Sequence, residues 1–363
     1  MSDKIKNIEK SIEKLVNKEF TIMFFVVDTK GIPSGSLAYI YETAYQLHEA
    51  GYNVKILHAE NEFVGVESWL GKKYADLPHE AIDKDNTTTV SPADFLFIQE
   101  VYTSAMSATK QLPCKRLVIF QNFSLLADTC PMGVSFDDLK IRGCIAISET
   151  LKERIKKFFP DVKVDVVHRA IPQIFEKGKN KKLIVNIVSN DKHEINEIVK
   201  PFYWKYPQYK WIAFRPIPNN LTREDFAKAL EESFATIWCD TKTDFGQSAL
   251  EALSAGNVII GKIPENDSEW IYKNGGIRDN GLWFYNSSDA CDMIASAVQS
   301  FITDTIPDVI YTEADDTVSK YTPENQKKEI MEVYPALFKL RKEELEKLLE
   351  IYKKNEETEK TDE

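Results

Sequence analysis

Apolar positions along the chain fall into two alternating kinds of run. Residues 3–17 set Ile5, Ile8, Ile12 and Leu15 three or four apart, which predicts an amphipathic helix. Its polar face mixes Lys with Glu, so packing on the body of the protein is favoured over packing on a membrane. Thr21–Val27 is a continuous apolar run and reads as a parallel strand buried on both faces. Gly31-Ile-Pro-Ser-Gly-Ser36 follows, then a helix expected over Leu37–Ala50 and stopped by Gly51, then a strand at Asn53–His58. Further strands are expected at Phe95–Gln99, Arg116–Phe120, Gly143–Ile147 and Lys163–Val167, with a helix over Ser148–Phe159. Such alternation is the pattern of an open parallel sheet with helices on both faces.

Glu176–Lys182 is polar, charged and without hydrophobic period, and reads as an interdomain linker. A second alternation then begins. Strands are expected at Leu183–Val188, Trp211–Phe214, Ala235–Cys239 and Val258–Gly261, and helices at Ile195–Lys205, Arg223–Ser233 and Ser248–Ala255. From Pro323 a helical tail carries a loose stripe of Leu337, Leu340, Leu345, Leu348 and Tyr352 and ends in the polar Asn355–Glu363. Two doubly wound halves imply a cleft between them.

Composition narrows the function classes. The 363 residues carry 46 Lys+Arg against 57 Asp+Glu, a net charge of −11, which weighs against nucleic acid as a main partner. The longest apolar run, Ile22–Val27, is far below the roughly 18 residues of a membrane span, so a cytoplasmic protein is expected. Five cysteines at irregular spacing, with no C-x-x-C pair, read as buried apolar side chains rather than as a zinc or disulfide framework. No metal-ligand spacing, P-loop or dinucleotide fingerprint is present. His168 and His193 have no Ser or Cys at nucleophile spacing, so a hydrolase triad is unsupported.

The most informative stretch is Thr243–Gly261, TDFGQSALEALSAGNVIIG. A loop at Phe245–Ser248 aims the N–H groups of a helix N-terminus outward, an anion site, and Gly246 permits close approach of a ligand. Glu251 stands three residues after Ser248, the spacing of a capping box. The sharper reading is a carboxylate that accepts hydrogen bonds from two vicinal hydroxyls, as in ribose recognition, though the residue pattern taken alone favours the cap. Periodicity does not choose between these.

This stretch resembles the Glu-x7-Glu signature of retaining glycosyltransferases of the GT-B fold, family 4-like, group 1. Weaker resemblances follow in the family's order: Gly35-Ser36 before a helix, Ala50–Val54, Ile145–Glu149, Val166–Ile171 and Asn280–Phe284. The resemblance implies an α/β fold of two Rossmann-like, doubly wound domains with a C-terminal crossing helix. It implies an acceptor domain over 1–178, a nucleotide-sugar donor domain over 179–322, and a helical tail over 323–363 that returns to the first domain. It places Glu251 on the ribose, and Gly246, Gln247 and Ser248 on the loop facing sugar and diphosphate. Gly35 and Ser36 fall on the loop that meets the donor phosphate or the acceptor.

Departures matter as much. The first Glu of the signature is Thr243, followed by Asp244; Asp244 or Asp240 is the candidate for the sugar-hydroxyl contact, and Asp244, Thr243 and Lys192 are the candidate catalytic residues. The family's Arg and Lys after the first strand of the second domain are reduced to Lys192, with Arg169 and Arg215 as further candidate cations. The family's His after Arg116–Phe120 is replaced by Gln121 and Asn122, which hydrogen-bond a sugar on the acceptor side but take no proton. The resemblance implies transfer of a hexose from a nucleotide diphosphate sugar to a glycan, lipid-linked or other hydroxyl acceptor. It implies retention, no metal and no cofactor, a place in polysaccharide biosynthesis and peripheral membrane contact at most. The alternative is a catalytically degenerate GT-B subunit that stabilises a partner transferase. On the enzyme reading, Glu251→Ala is expected to abolish nucleotide-sugar binding in calorimetry and to leave the fold intact.

Overall fold

A computed structural model describes residues 3–60, 62–82, 89–189, 191–218, 221–240, 243, 245–264, 268–271 and 280–361. The chain forms two compact units. The first runs through Ile147, takes in Lys152–Val167 and resumes from Lys327; the second comprises Ser148–Leu151 and His168–Gln326. The passage therefore falls at Val167/His168, ahead of the polar Glu176–Lys182 segment. That segment packs on the second unit, where Gly178 N–H donates to Ala255 O. A Cβ on Gly178 would come within 2.0 Å of Glu231 O, so the chain is pressed against its neighbour there.

The first unit is built on seven parallel strands: β1 Thr21–Phe25, β2 Asn53–His58, β3 His79–Ala81, β4 Phe95–Gln99, β5 Lys115–Phe120, β6 Gly143–Ala146 and β7 Lys163–Val166. Their order is β3-β2-β1-β4-β5-β6-β7. The direction of winding reverses between β1 and β4, and the C-terminal strand ends at such a point are where open α/β sheets bind ligands. Helices cover both faces, which is why Ile22, Phe24, Phe97 and Ile119 are buried and the strands read as unbroken apolar runs.

The second unit has five parallel strands: β8 Lys182–Val188, β9 Ala213–Pro216, β10 Ser233–Trp238, β11 Val258–Lys262 and β12 Leu282–Phe284. Their order, β12-β11-β10-β8-β9, reverses between β8 and β10. β9 begins two residues later than the apolar pattern suggests. Trp211 is not a strand residue but an exposed side chain whose Nε1–H donates to Gln208 O at 2.8 Å. The short helices at Glu67–Leu70, Lys72–Ala75, Thr103–Ala108 and Phe123–Thr129, and the three-residue β3, are too brief to carry a period. Helices Ser287–Ile302 and Asp308–Val318 add to the second unit beyond the elements expected from the pattern.

The tail is one helix, Pro323–Thr361, and from Lys327 it belongs to the first unit. Its buried stripe is Ile330, Tyr334, Leu337, Phe338 and Leu345, whereas Leu340 and Leu348 of the expected stripe are exposed. The difference comes from Arg341. It occupies an inward position with its aliphatic stem covered and its guanidinium donating to Pro92 O at 3.0 Å and Pro113 O at 3.2 Å. Phe338 lies among Phe20, Tyr52 and Phe95, at ring-centroid distances of 4.9, 5.2 and 4.7 Å.

All five cysteines are free, and four are buried. Burial pushes the Cys114 thiol up to about 11, so it is a protonated, inert core group. Among the described residues no helix is long and apolar enough to cross a membrane.

Phe338→Ala removes a ring that four others, Phe20, Tyr52, Phe95 and Tyr334, pack against. It is expected to destabilise the first unit by about 3–5 kcal/mol, read as a shift of that unit's transition in urea unfolding.

Candidate functional site

The site in the second unit begins at the C-terminal ends of β8 and β10. Lys192 opens the helix Lys192–Lys205 and is exposed. Asp191 caps that helix, its Oδ1 accepting from His193 N–H at 2.7 Å. Thr243 Oγ1 donates to Asp240 O at 3.1 Å, and Asp244 lies outside the described residues. At the end of the neighbouring β11 stands a cation that the sequence pattern passes over. Lys262 Nζ lies 2.6 Å from Glu194 Oε1, and Ser189 Oγ donates to the other carboxylate oxygen at 2.9 Å. The Glu194 hydrogen bond holds the Lys262 ammonium above its ordinary range. Strand polarity alone finds Lys262, because it closes a parallel strand on the ligand-binding edge.

Helix Gln247–Ser254 starts at Gly246, which is in the left-handed region at φ +68° and provides no side-chain cap. Gly246 O accepts from Ala249 N–H and Leu250 N–H. The N–H groups of Gln247 and Ser248 thus form the helix's positive end, with no side-chain cap over them. The capping box between Ser248 and Glu251 does not form, because the cap position is Gly246. The glycine also has a second reason besides ligand approach. A Cβ there would lie 3.0 Å from Trp270 Cζ2 and 3.1 Å from Trp238 Cζ2. Trp238, Trp270 and Trp283 make a floor beneath the loop, with ring centroids 5.8–6.5 Å apart, and Trp270 Nε1–H ties it to Phe245 O at 2.6 Å.

Glu251 occupies the helix position expected of it but is 1% exposed. Its carboxylate receives both arms of Arg223, at 2.8 and 3.3 Å, and Gln247 Nε2–H at 3.0 Å. Gln247 Nε2 also donates to Ala170 O at 3.1 Å, while its Oε1 is buried without a partner. The Arg223 guanidinium lies 4.9 Å from the Phe175 ring centroid. Burial of the pair argues that Glu251→Ala is not neutral to the fold, since the change leaves Arg223, 23% exposed, without its counter-charge.

Arg215 is also placed away from the anion site. Its Nε donates to Asn186 Oδ1 at 2.7 Å, and its other nitrogens bind Glu232 and Ala229 O. There it sits at the C-terminal turn of helix Arg223–Glu232, where a cation is favoured by the helix dipole. Arg169 is half-buried, one residue before the Ala170 carbonyl that holds Gln247. His168 Nε2 meets Glu269 Oε1 at 2.9 Å, Tyr321 Oη–H donates to the same oxygen at 3.0 Å, and Glu149 N–H donates to Oε2 at 2.7 Å. Burial pushes the Glu269 carboxyl up, but these partners outweigh it and hold the group below its ordinary value. Among the described residues no group of three or more His, Cys, Asp or Glu side chains is arranged to hold a metal ion.

In the first unit, helix Gly35–Glu49 starts at Gly35 with Ser34 as its cap, accepting from Leu37 N–H, and Ser36 Oγ lies 3.1 Å from Ser34 Oγ. Gln121 Nε2 donates to Ser36 O at 3.1 Å, and its Oε1 is buried without a partner. Asn122 is given to structure: its Oδ1 caps helix Phe123–Thr129 and its N–H donates to Glu100 Oε1 at 2.8 Å. Gly35, Ser36 and Gln121 are thus brought together at the β1/β4 reversal, with Asn122 turned to its own helix.

No family model matches the chain. A curated α-1,6-glucosyltransferase of Actinobacillus pleuropneumoniae serotype 7 is 24% identical over 243 residues, 65% of this chain and 71% of that protein. Among solved structures, a glycosyltransferase of Rickettsia africae is similar at TM-score 0.59 and 14% identity, covering 88% of this chain and 99% of that one. Anabaena HepE, in complex with UDP-glucose, is similar at TM-score 0.60 and 11% identity, covering 87% and 99%. The two parallel-sheet α/β units, with a long C-terminal helix, match GT-B glycosyltransferase structures.

Glu251→Ala is expected to cost about 3–5 kcal/mol in chemical unfolding, and Glu251→Ala combined with Arg223→Met much less, because the pair is then removed whole. The depressed Glu269 carboxyl contributes stability that is present above its unfolded value near pH 4.5 and is lost as pH falls through the lower folded value. Thermal unfolding followed from pH 6 to pH 3 is expected to show a shallower decline in Glu269→Gln than in the parent chain.

Proposed function

We propose that the protein transfers a hexosyl group from a nucleoside diphosphate sugar to a hydroxyl of a glycan, lipid-linked or other acceptor, with retention and without a metal ion. The observation that carries this reading is the Gly246-started helix. Its first N–H groups lack a side-chain cap, on a sheet whose ligand edge also holds Lys192 and Lys262. In the proposed reaction the bond between the anomeric carbon and the diphosphate oxygen breaks, and the diphosphate takes the electron pair. The acceptor oxygen bonds to that carbon on the same face, and its proton passes to the leaving diphosphate. Helix N–H groups, Lys192 and Lys262 stabilise the charge that develops, and positioning supplies much of the rest.

On this reading the second unit holds the donor and the first the acceptor. Thr243, Asp244 and Ser248 meet sugar and diphosphate, with Arg169 at the rim. Glu251 receives the ribose hydroxyls on Oε1 when they displace the Gln247 amide, while Arg223 keeps the carboxylate oriented. Gly35 and Ser36 approach the acceptor, as does Gln121. Arg215, engaged with Asn186 and Glu232, takes no part. The glucosyltransferase similarity and the UDP-glucose bound to HepE make UDP-glucose the first donor to try. One observation favours the second reading, a non-catalytic subunit: Glu251 is closed by Arg223 and Gln247 rather than open to ribose.

Thermal unfolding with UDP, GDP and ADP separates the two. The enzyme reading expects one of them to stabilise the chain, by about 2.7 kcal/mol at a hundredfold excess over Kd. Lys262→Ala is expected to weaken that nucleotide about tenfold. No stabilisation by any of the three, with a partner transferase held through purification, favours the subunit.

A further inference from the structure

Beyond the nucleotide edge of the second unit, the first unit holds a concentration of unsatisfied polar atoms that none of the residues above uses. Five buried side-chain atoms without a hydrogen-bond partner fall in one sector: Thr29 Oγ1, Tyr41 Oη, Glu60 Oε2, Trp69 Nε1 and His79 Nδ1. They come from the loop after β1, the helix Gly35–Glu49, the loop after β2, the helix Glu67–Leu70 and β3. Contacts close these elements into a ring. Asp28 N–H donates to Glu60 Oε1 at 3.3 Å, and Val64 N–H to Asp28 Oδ2 at 2.8 Å. Glu60 O lies 2.8 Å from His58 Nδ1, His58 and His79 have centroids 5.9 Å apart, and His79 and Tyr41 6.0 Å. The Asp28 charge acts back on the Tyr41 hydroxyl. Ser68, beside Trp69, packs at Gly31, where a Cβ would lie 3.6 Å from its Oγ.

Tyr41 is fully buried, and an unpaired hydroxyl there costs stability that phenylalanine would not. Its burial, with Asp28 nearby, also keeps it protonated and therefore a donor. Burial, with His58 beside it, pushes His79 down to about 4, so it is neutral at pH 7. The ring thus offers hydroxyl and indole donors beside one buried carboxylate oxygen without a partner, Glu60 Oε2, since Oε1 and both Asp28 oxygens already accept backbone N–H groups. Lys30, the cation on the same loop, is exposed. Among the described residues neither carboxylate pairs with a cation, and two such carboxylates repel a phosphate or carboxylate ligand. Sugar hydroxyls, each donating and accepting at once, suit this mixture.

We infer that the ends of β1, β2 and β3 form a subsite for a neutral glycan, held by Tyr41, Glu60, Trp69 and Thr29. That makes the transferred-to molecule a neutral sugar terminus rather than a phosphorylated or acidic one. The role as acceptor rests on the glycosyl-transfer reading; the binding of a neutral sugar does not.

The test measures binding to the full chain by saturation-transfer NMR and calorimetry. The probes are the methyl glycosides of glucose, galactose, mannose and N-acetylglucosamine, with glucose 6-phosphate as the anionic comparison and UDP as a separate readout. At least one neutral glycoside is expected to bind, and glucose 6-phosphate to bind at least tenfold more weakly than methyl glucoside or not at all. Tyr41→Phe is expected to weaken the bound glycoside about tenfold, Glu60→Gln by more, both leaving UDP affinity unchanged. Tyr41→Phe folds and gains thermal stability, because it deletes an unpaired buried hydroxyl. Failure of every neutral glycoside to bind, with Tyr41→Phe stabilised, makes the ring a hydrated polar pocket and overturns the inference. So does unchanged affinity in both variants, or preference for the phosphate. Loss of UDP binding with glycoside binding kept counts against the transferase reading and leaves the subsite standing.

Discussion

A carboxylate withdrawn from water needs a counter-charge and a full set of donors, and the second unit is organised around meeting that need at Glu251. Arg223 supplies the charge from another helix, and Gln247 supplies a further donor from the same one. Because Gln247 also reaches Ala170 O, and Arg223 lies over Phe175, the one carboxylate joins helix Arg223–Glu232, helix Gln247–Ser254 and the chain segment at 170–175. Ser254 Oγ donates to Phe175 O at 2.7 Å and closes the same seam from its far end. The loop at Gly246 is therefore held from one side by an ion pair and from beneath by three indoles.

The interior polar groups of this unit divide into two kinds. Away from the ligand edge, Asn186, Ser233, Thr236 and Asn257 form a fully buried network, each with a partner, and Asn257 Nδ2 ends on Leu230 O. Lys181 reaches carbonyls at the ends of two helices, Leu230 O and Ala255 O, where helix dipoles favour it; burial still pushes its ammonium down to about 8. These satisfied groups fix the strand β8–β10 pairing. Unsatisfied groups include Gln247 Oε1 here, in the first turn of its helix, and the Tyr41–Glu60 ring in the first unit. Where a fold tolerates unpaired donors and acceptors, the difference from its well-paired interior is itself informative.

Local signals made most of the fold legible. FLFIQ at 95–99 and NVKILH at 53–58 are strands with the boundaries their apolar runs suggest, because both faces of a parallel sheet are covered. The helix at 35–49 starts two residues ahead of the Leu37 its pattern suggests, since Ser34 caps it. The site was legible only in part. Glu251 lies on the expected helix and Gly246 stands at its start, but Arg223 is 28 residues from Glu251 and nothing local announces the pair. Arg215 looked available as a cation because the register that sets it against Asn186 is a property of the assembled sheet. Lys262 escapes the sequence pattern for the converse reason: its significance is its strand end, not its neighbours in sequence.

The return of the final helix to the first unit has a bearing on how the chain is made. The second unit is almost continuous in sequence and can close while synthesis proceeds. Phe20 and Phe95, by contrast, face Phe338, which follows Phe20 by about 320 residues and so emerges roughly 15–60 s later at ordinary elongation rates. During that interval a belt of aromatic surface on the nascent first unit has no cover of its own. A chaperone holding that belt would act on the growing chain rather than on the finished one, and translation speed becomes a variable in the yield of native protein.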